Sequence, residues 1–185
     1  MTTLILIRHG ATEGNLHKRY IGRTDEPLCD VGIAQVNALR KQRFPIDKLF
    51  VSPMRRAKET AEILFPGTAY TVIDDFRETD FGIFEGKSAA ELSDNAEYQN
   101  WVNSFCQDPI PSGEKIEHFK ERCCKAFAQI MQAESQQAVI AFVVHGGTIM
   151  AILEAYAKPR RGFYEYHIGN GEYIVCKYEN GVISR

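Results

Sequence analysis

Four short apolar runs in this chain each lead into a side chain able to bind an anion or move a proton. "TLILI" (3–7) runs into Arg8 and His9, and "KLFV" (48–51) into "SPMRRA", which carries Arg55 and Arg56. "AYTVID" (69–74) is followed by Glu78, and "AVIAFVV" (138–144) ends at His145. Taken singly, none of these residues means much. A histidine after a strand is usually a hydrogen-bonded structural residue, and arginines in a helix's first turn or a glutamate in a loop are usually solvated. In an open parallel sheet, however, ligands bind beyond the carboxyl ends of the strands. If the four runs are neighbouring parallel strands, these groups converge on one rim.

Together they have a coherent chemistry. Two arginines and two histidines around one point suit a phosphate dianion, because guanidinium matches phosphate oxygens in bidentate fashion. Asn15 and the backbone N–H groups around Gly10 and Gly146, near helix starts, can add further donors. One histidine can attack phosphorus, splitting a hard transfer into two easier steps. Nearby positive charge lowers its pKa and keeps the attacking nitrogen unprotonated. The departing alkoxide needs a proton, which a carboxylic acid such as Glu78 can give. Such a transfer rests on positioning and charge stabilisation, so no metal or other cofactor is called for.

The elements that would position these groups are legible as alternating periods. "DVGIAQVNALRKQ" reads as a helix with Asp30 as N-cap and Ile33, Val36 and Leu39 on its buried side. In "SPMRRAKETAEILF", Ser52 reads as N-cap and Pro53 as the first helical residue, with Met54, Ala57, Ala61 and Leu64 buried. "GTIMAILEAYA" is an apolar helix, and "ENG" in the tail "GEYIVCKYENGVISR" signals an antiparallel hairpin. Strands alternating with helices imply βαβ units and a mainly parallel sheet. Between about 80 and 135 the pattern changes. "SAAE" (88–91) matches a capping box opening a short helix. A long amphipathic helix follows "PIPSGEK", with Ile116, Phe119, Cys123, Phe127 and Ile130 on one face. This stretch reads as a helical insertion over one end of the sheet, within a single domain spanning 1–185.

Composition narrows the class. The 185 residues are 44% hydrophobic and 25% charged with a net charge of -2, ordinary for a globular protein and no invitation to nucleic acid or an anionic membrane. The longest apolar run is too short to cross a bilayer, and the N-terminus carries no secretory pattern. Five cysteines, an odd number without CxxC spacing, suit free thiols in a reducing compartment. A cytoplasmic location and a small phosphomonoester as partner are expected. Oligomeric state is left open.

With these residues in view, the chain resembles the histidine phosphatase superfamily, with its phosphoglycerate-mutase-like fold. "RHGATEGN" resembles the family's RHG-x-T-x-x-N signature, and "SPMRRA" its S-x-L-x-R-A element with Met54 at the leucine position. "FRETDFGIFEG" resembles L-x-E-x-x-x-G-x-x-E-G with Phe76 at the leucine position, and "VVHGG" the second histidine motif. The resemblance implies a three-layer α/β sandwich with a mainly parallel central sheet, an insertion over the strands' C-terminal ends and a C-terminal hairpin. It implies that His9 carries the phosphoryl group and Glu78 donates the proton. Arg8, Arg56 and His145 would bind phosphate with Asn15, and Gly22 and Gly146 join that set. The resemblance selects Arg56 over Arg55, and it makes Glu85 a structural residue bonding backbone near the site. His17, His118 and His167 match no motif and read as surface or satisfied residues.

Only a short helix separates Gly86 from "PSGE", which favours the family's shorter phosphatases over its glycolytic mutases. Among these the chain is similar to the α-ribazole phosphatases of cobalamin assembly, through "FGIFEG", "YQNWVNSFCQDPIPSGEKIEHFKERCCKAF" and the compact hairpin. That implies α-ribazole 5'-phosphate as substrate. The alternatives are a broad-specificity or sugar-phosphate phosphatase, a mutase-like activity, or a non-catalytic phosphate-binding module. Phe81, Phe84, Tyr98, Trp101 and Phe105 either stack on an aromatic base or form the insertion's own small core.

Overall fold

The computed structural model describes residues 1–134 and 137–184. In chain order the elements are β1 (Thr2–Arg8), α1 (Glu13–Leu16), α2 (Asp30–Arg40), β2 (Lys48–Val51), α3 (Arg55–Leu64) and β3 (Thr71–Val72). They continue with α4 (Ala96–Asn103), α5 (Ile116–Ala133), β4 (Val139–Val144), α6 (Gly146–Tyr156), β5 (Tyr173–Glu179) and β6 (Val182–Ser184). One six-stranded sheet runs in the order β3-β2-β4-β1-β5-β6. The first four are mutually parallel, while β5 and β6 add antiparallel strands at one edge.

Alternation along the strands builds two cores. Leu4, Leu6, Ile140 and Phe142 face Phe127 and Ile130 of α5 and Ile149 and Ile152 of α6. Ile5, Ile7, Ala141 and Val143 face Val36 and Leu39 of α2 and Ala57 and Ala61 of α3. The result is a three-layer sandwich, as expected. The register pairs Arg8 with Val144 and Val51 with Val143, so β1 and β4 end level, β2 ends one residue short of them, and the residues that follow share one rim. A slip of one residue would turn every such side chain to the wrong face.

Several local readings shift. Asp30 is the first residue of α2 with Cys29 as its N-cap, placing the carboxylate in the first turn, where the helix dipole favours it. Ile33 is exposed. Helix α3 starts at Arg55 after Met54, so Ser52 does not cap it. The third strand keeps only two exposed residues at the sheet edge. Ser88 and Glu91 form the reciprocal capping bonds, yet they close a run of turns, and α4 begins later, capped by Asn95. The expected end of the insertion at 135, and the tail's Arg185, lie outside the described residues. Among the described residues, no helix is long and apolar enough to cross a membrane.

Candidate active site

His9 follows β1 and is 3% exposed. Its Nδ1 lies 2.7 Å from the Gly10 carbonyl oxygen. A carbonyl only accepts, so Nδ1 carries the ring proton and Nε2 the lone pair. Burial, then the charges of Arg56 and Arg8, hold its pKa well below the ordinary histidine value. The ring is a neutral base with one open nitrogen. Its backbone is pinned from the loop before β5, where the Gly171 N–H and Asn170 Nδ2 donate to the His9 carbonyl at 3.0 and 3.3 Å. Asn170 also donates to Asn15 Oδ1 at 3.1 Å, and that oxygen accepts the Thr12 N–H as well. The amide of Asn15 therefore turns its NH2 end outward as a donor.

Gly10 has a different task from the one expected. Its N–H donates to Thr60 Oγ1 at 3.1 Å and is not offered to a ligand. A Cβ here would stand 2.7 Å from both the Gly32 carbonyl and a Val36 methyl, so glycine is what lets α2 approach the strand end. Arg8 donates from Nη1 to the Ile168 carbonyl at 2.6 Å and lies over Gly146, where a Cβ would sit 3.3 Å from Cζ.

His145 opens α6 from the end of β4 and is fully buried. Its ring lies 5.0 Å from that of His9, centroid to centroid, at 68°. The Ser52 hydroxyl stands 2.6 Å from His145 Nε2 and accepts the Met54 N–H at 3.4 Å. With Ser52 donating to Nε2, the ring proton sits on Nδ1. Burial first, then Arg56, His9 and Arg8, push the His145 pKa well down, so this ring too is neutral. His145 Nδ1 and Arg8 Nε are buried and make no hydrogen bond within the described residues. Native interiors rarely leave such donors orphaned, and two of them in one hollow suit an anionic guest.

Arg56, at 1% exposure, is held by the carbonyls of Thr24 (2.9 Å) and Gly22 (3.0 Å). Those carbonyls belong to a loop that Glu85 fastens, accepting the Gly22 and Thr24 N–H groups at 2.8 and 2.9 Å. Glu85 thus has the structural part expected of it. Gly22 differs, because its N–H is spent on Glu85 and its carbonyl orients Arg56. Burial lowers the pKa of Arg8 and Arg56 alike, and the Glu78 carboxylate is the strongest opposing influence on each. Glu78 accepts the N–H groups of Thr79 at 2.9 Å and Gly147 at 3.3 Å. Arg55 points away, paired with Glu59 at 2.6 Å.

Arg8, His9, Asn15, Arg56, Glu78, His145 and Gly146 are therefore gathered at one rim, and Gly22 stands behind it. Among the described residues, no group of three or more His, Cys, Asp or Glu is arranged to hold a metal ion.

Two cavities meet at Glu78. One, of about 290 Å³, is apolar, walled by Tyr20, Phe81, Trp101, Met150, Phe163 and Tyr164, with Arg8 and Gly146 at its inner end. The other, of about 490 Å³, is polar, with Arg23, Arg77, Lys115 and His118. Phe84, Tyr98 and Trp101 pack with Leu92 and Ile110 as the insertion's own core, and Phe105 is 82% exposed. Of the five insertion aromatics, Phe81 and Trp101 line the apolar cavity. His17 is exposed beside Glu13, and His167 borders the apolar cavity from its exposed rim. Sequence reasoning missed Ser52's contact with His145, Asn170, and the walls Tyr20, Phe163 and Tyr164. The one available signal was the turn sequence "IGNGE" just before the strand paired to β1.

A family model described as "Histidine phosphatase superfamily (branch 1)" matches residues 4–184. In sequence the chain is similar to "Uncharacterized phosphatase PhoE" of Bacillus subtilis (strain 168), 32% identical over 157 residues, covering 83% of this chain and 76% of that protein. It is also similar to "Probable phosphoglycerate mutase GpmB" of Klebsiella pneumoniae (strain 342), 31% identical over 173 residues, covering 86% and 80%. In structure it is similar to the α-ribazole phosphatase from Shigella flexneri, with a TM-score of 0.87 over 98% of this chain and 93% of that one, a likeness of fold at 23% identity.

Proposed function

The chain belongs to the histidine phosphatase superfamily, and we propose that it hydrolyses phosphomonoesters through a phosphoryl group carried on His9, with α-ribazole 5'-phosphate as substrate. The observation carrying the chemistry is a neutral, buried His9 with an open Nε2, under the charges of Arg56 and Arg8 and beside the unpartnered Nδ1 of His145. Arg8, Arg56, the Nδ1–H of His145, the NH2 of Asn15 and the N–H of Gly146 at the start of α6 would hold the phosphate oxygens. His9 Nε2 attacks phosphorus, a P–N bond forms and the ester P–O bond breaks. Glu78, in its acid form, gives its proton to the departing alkoxide. Water then gives a proton back to Glu78 and attacks the phosphohistidine, releasing inorganic phosphate and restoring His9.

The substrate reading draws on the cavity beside the cradle. Aromatic walls at its mouth and phosphate donors at its inner end suit a flat apolar ring joined to a phosphate through a sugar. The likeness of fold to an α-ribazole phosphatase supports the same reading. A second reading, a phosphorylated sugar or acid with another anionic group, draws on the basic residues of the polar cavity. A panel of α-ribazole 5'-phosphate, glycerol phosphate, glucose 6-phosphate and 3-phosphoglycerate separates them by kcat/KM. A lead of about tenfold or more for α-ribazole 5'-phosphate, about 1.4 kcal/mol, supports the first. Equal turnover of all four, or a lead for an anionic substrate, overturns it.

A further inference from the structure

Glu78 sits in an irregular loop, and its main chain is fastened by a residue the reaction does not otherwise use. Arg122 on α5 donates from Nη1 to the carbonyls of Asp75 (2.6 Å) and Arg77 (2.8 Å), and from Nη2 to that of Glu78 (3.1 Å). Its remaining N–H groups, on Nε and Nη2, go to the Glu114 carboxylate at 2.7 and 2.8 Å. All five guanidinium donors are thereby in use. Glu114 closes the other end, its own N–H donating to the Asp80 carbonyl at 2.9 Å. One turn back on the same helix face, Phe119 lies under the Arg122 guanidinium, 4.9 Å from its centre. Phe119 also packs beneath Gly147, where a Cβ would come within 2.9 Å of its ring and 2.5 Å of Glu78 Oε1. The Gly147 N–H is the one that donates to Glu78 Oε2.

We infer that Arg122, braced by Glu114, is a positioning residue for Glu78: it fixes the loop so that the carboxyl stands where a leaving oxygen needs its proton. This rests on the reading of Glu78 as proton donor. The arginine is partly buried, with 20% of its side chain exposed, and its planar fork spans three carbonyls at once. A lysine offers its donors at a single point and cannot span them. Misplacing a catalytic group by even an ångström is costly to rate.

Glycerol phosphate, whose leaving alkoxide needs the proton, and p-nitrophenyl phosphate, whose phenolate scarcely does, separate positioning from general damage. kcat/KM for both is measured in wild type, Glu78→Gln, Arg122→Lys, Glu114→Gln and the double variant Glu78→Gln/Arg122→Lys. Arg122→Lys is expected to lose about tenfold more on the alkyl than on the aryl ester, about 1.4 kcal/mol. The double variant should be no worse on the alkyl ester than Glu78→Gln alone, within about twofold. Equal losses on both esters, or additive losses in the double variant, overturn the inference. If Arg122→Lys does not fold, Glu114→Gln carries the same expectation. Absence of leaving-group bias in Glu78→Gln itself would remove the proton-donor reading, and the inference with it. Bias in Glu78→Gln with none in Arg122→Lys or Glu114→Gln removes the inference alone.

Discussion

The proposed phosphate cradle and the apolar cavity meet at Glu78, yet they are built by different means. The cradle stands on the ends of parallel strands whose register sets its depth, and Arg56, His9 and His145 are almost wholly buried between two helix layers. The cavity is walled by residues from a loop at Tyr20, the insertion at Phe81 and Trp101, and the turn at Phe163 and Tyr164. Its support is a small satellite core around Phe84, Leu92 and Tyr98. The difference separates two tasks. Bond-breaking groups need fixed geometry and exclusion of water, which a sheet supplies. Groups that meet the rest of a substrate sit on segments that can vary without disturbing the sheet.

The comparison is broken most severely at His9. His9→Ala should cost at least about 10^3-fold in kcat on every phosphomonoester, whatever fills the cavity, because a nucleophile has no substitute. Substrate-dependent residual activity in steady-state assays would place the chemistry elsewhere.

The cradle should also dominate the acid sensitivity of the fold. His9 and His145 are held neutral with lowered pKa values, so the unfolded chain binds protons before the folded one. Their effect is absent above the ordinary histidine value of about 6.5 and destabilises the fold increasingly as pH drops below it. The slope is at most about 1.4 kcal/mol per pH unit for each histidine. Urea unfolding at several pH values between 5 and 8 should show a shallower dependence in His9→Asn than in wild type, and identical slopes would contradict the assignment.

Tyr164 sharpens the other side. It is 53% exposed, so Tyr164→Ala should leave folding intact while raising KM for α-ribazole 5'-phosphate about two- to tenfold more than for glycerol phosphate, the range of one aromatic contact. Equal KM changes would place the base outside this cavity. The smallest effect belongs to Phe105, which is mostly exposed and lines neither cavity. Phe105→Ala should shift stability by less than about 0.5 kcal/mol and leave the preference among substrates alone. A changed preference would mean that the exposed ring takes part in binding.

Legibility in the sequence divides along the same line. The buried strands β1 and β4 and the buried face of α5 are readable from their apolar patterns, and the two strands carry the positions of Arg8, His9 and His145 with them, whereas the choice of Arg56 over Arg55 and the role of Glu78 rest on the motif resemblance. What could not be read depends on contacts between elements. Ser52 has the residue type of a helix cap, but the register of β2 against β4 delivers it to His145. The N–H groups around Gly10 read as available and Gly22 as part of the phosphate-binding set, yet Thr60 and Glu85 occupy the two amides. Arg122 belongs to no motif or apolar period of the sequence, and only the fold shows the loop it clamps.

The central claim is a covalent one, and it can be examined by rapid mixing of enzyme with a radiophosphate-labelled monoester, followed by an alkaline quench that preserves P–N bonds. The expected result is a transient, acid-labile label approaching one phosphoryl group per chain, mapped by peptide analysis to His9 and missing from His9→Ala. Turnover at the normal rate with no label on protein, or a label that survives in His9→Ala, would contradict it.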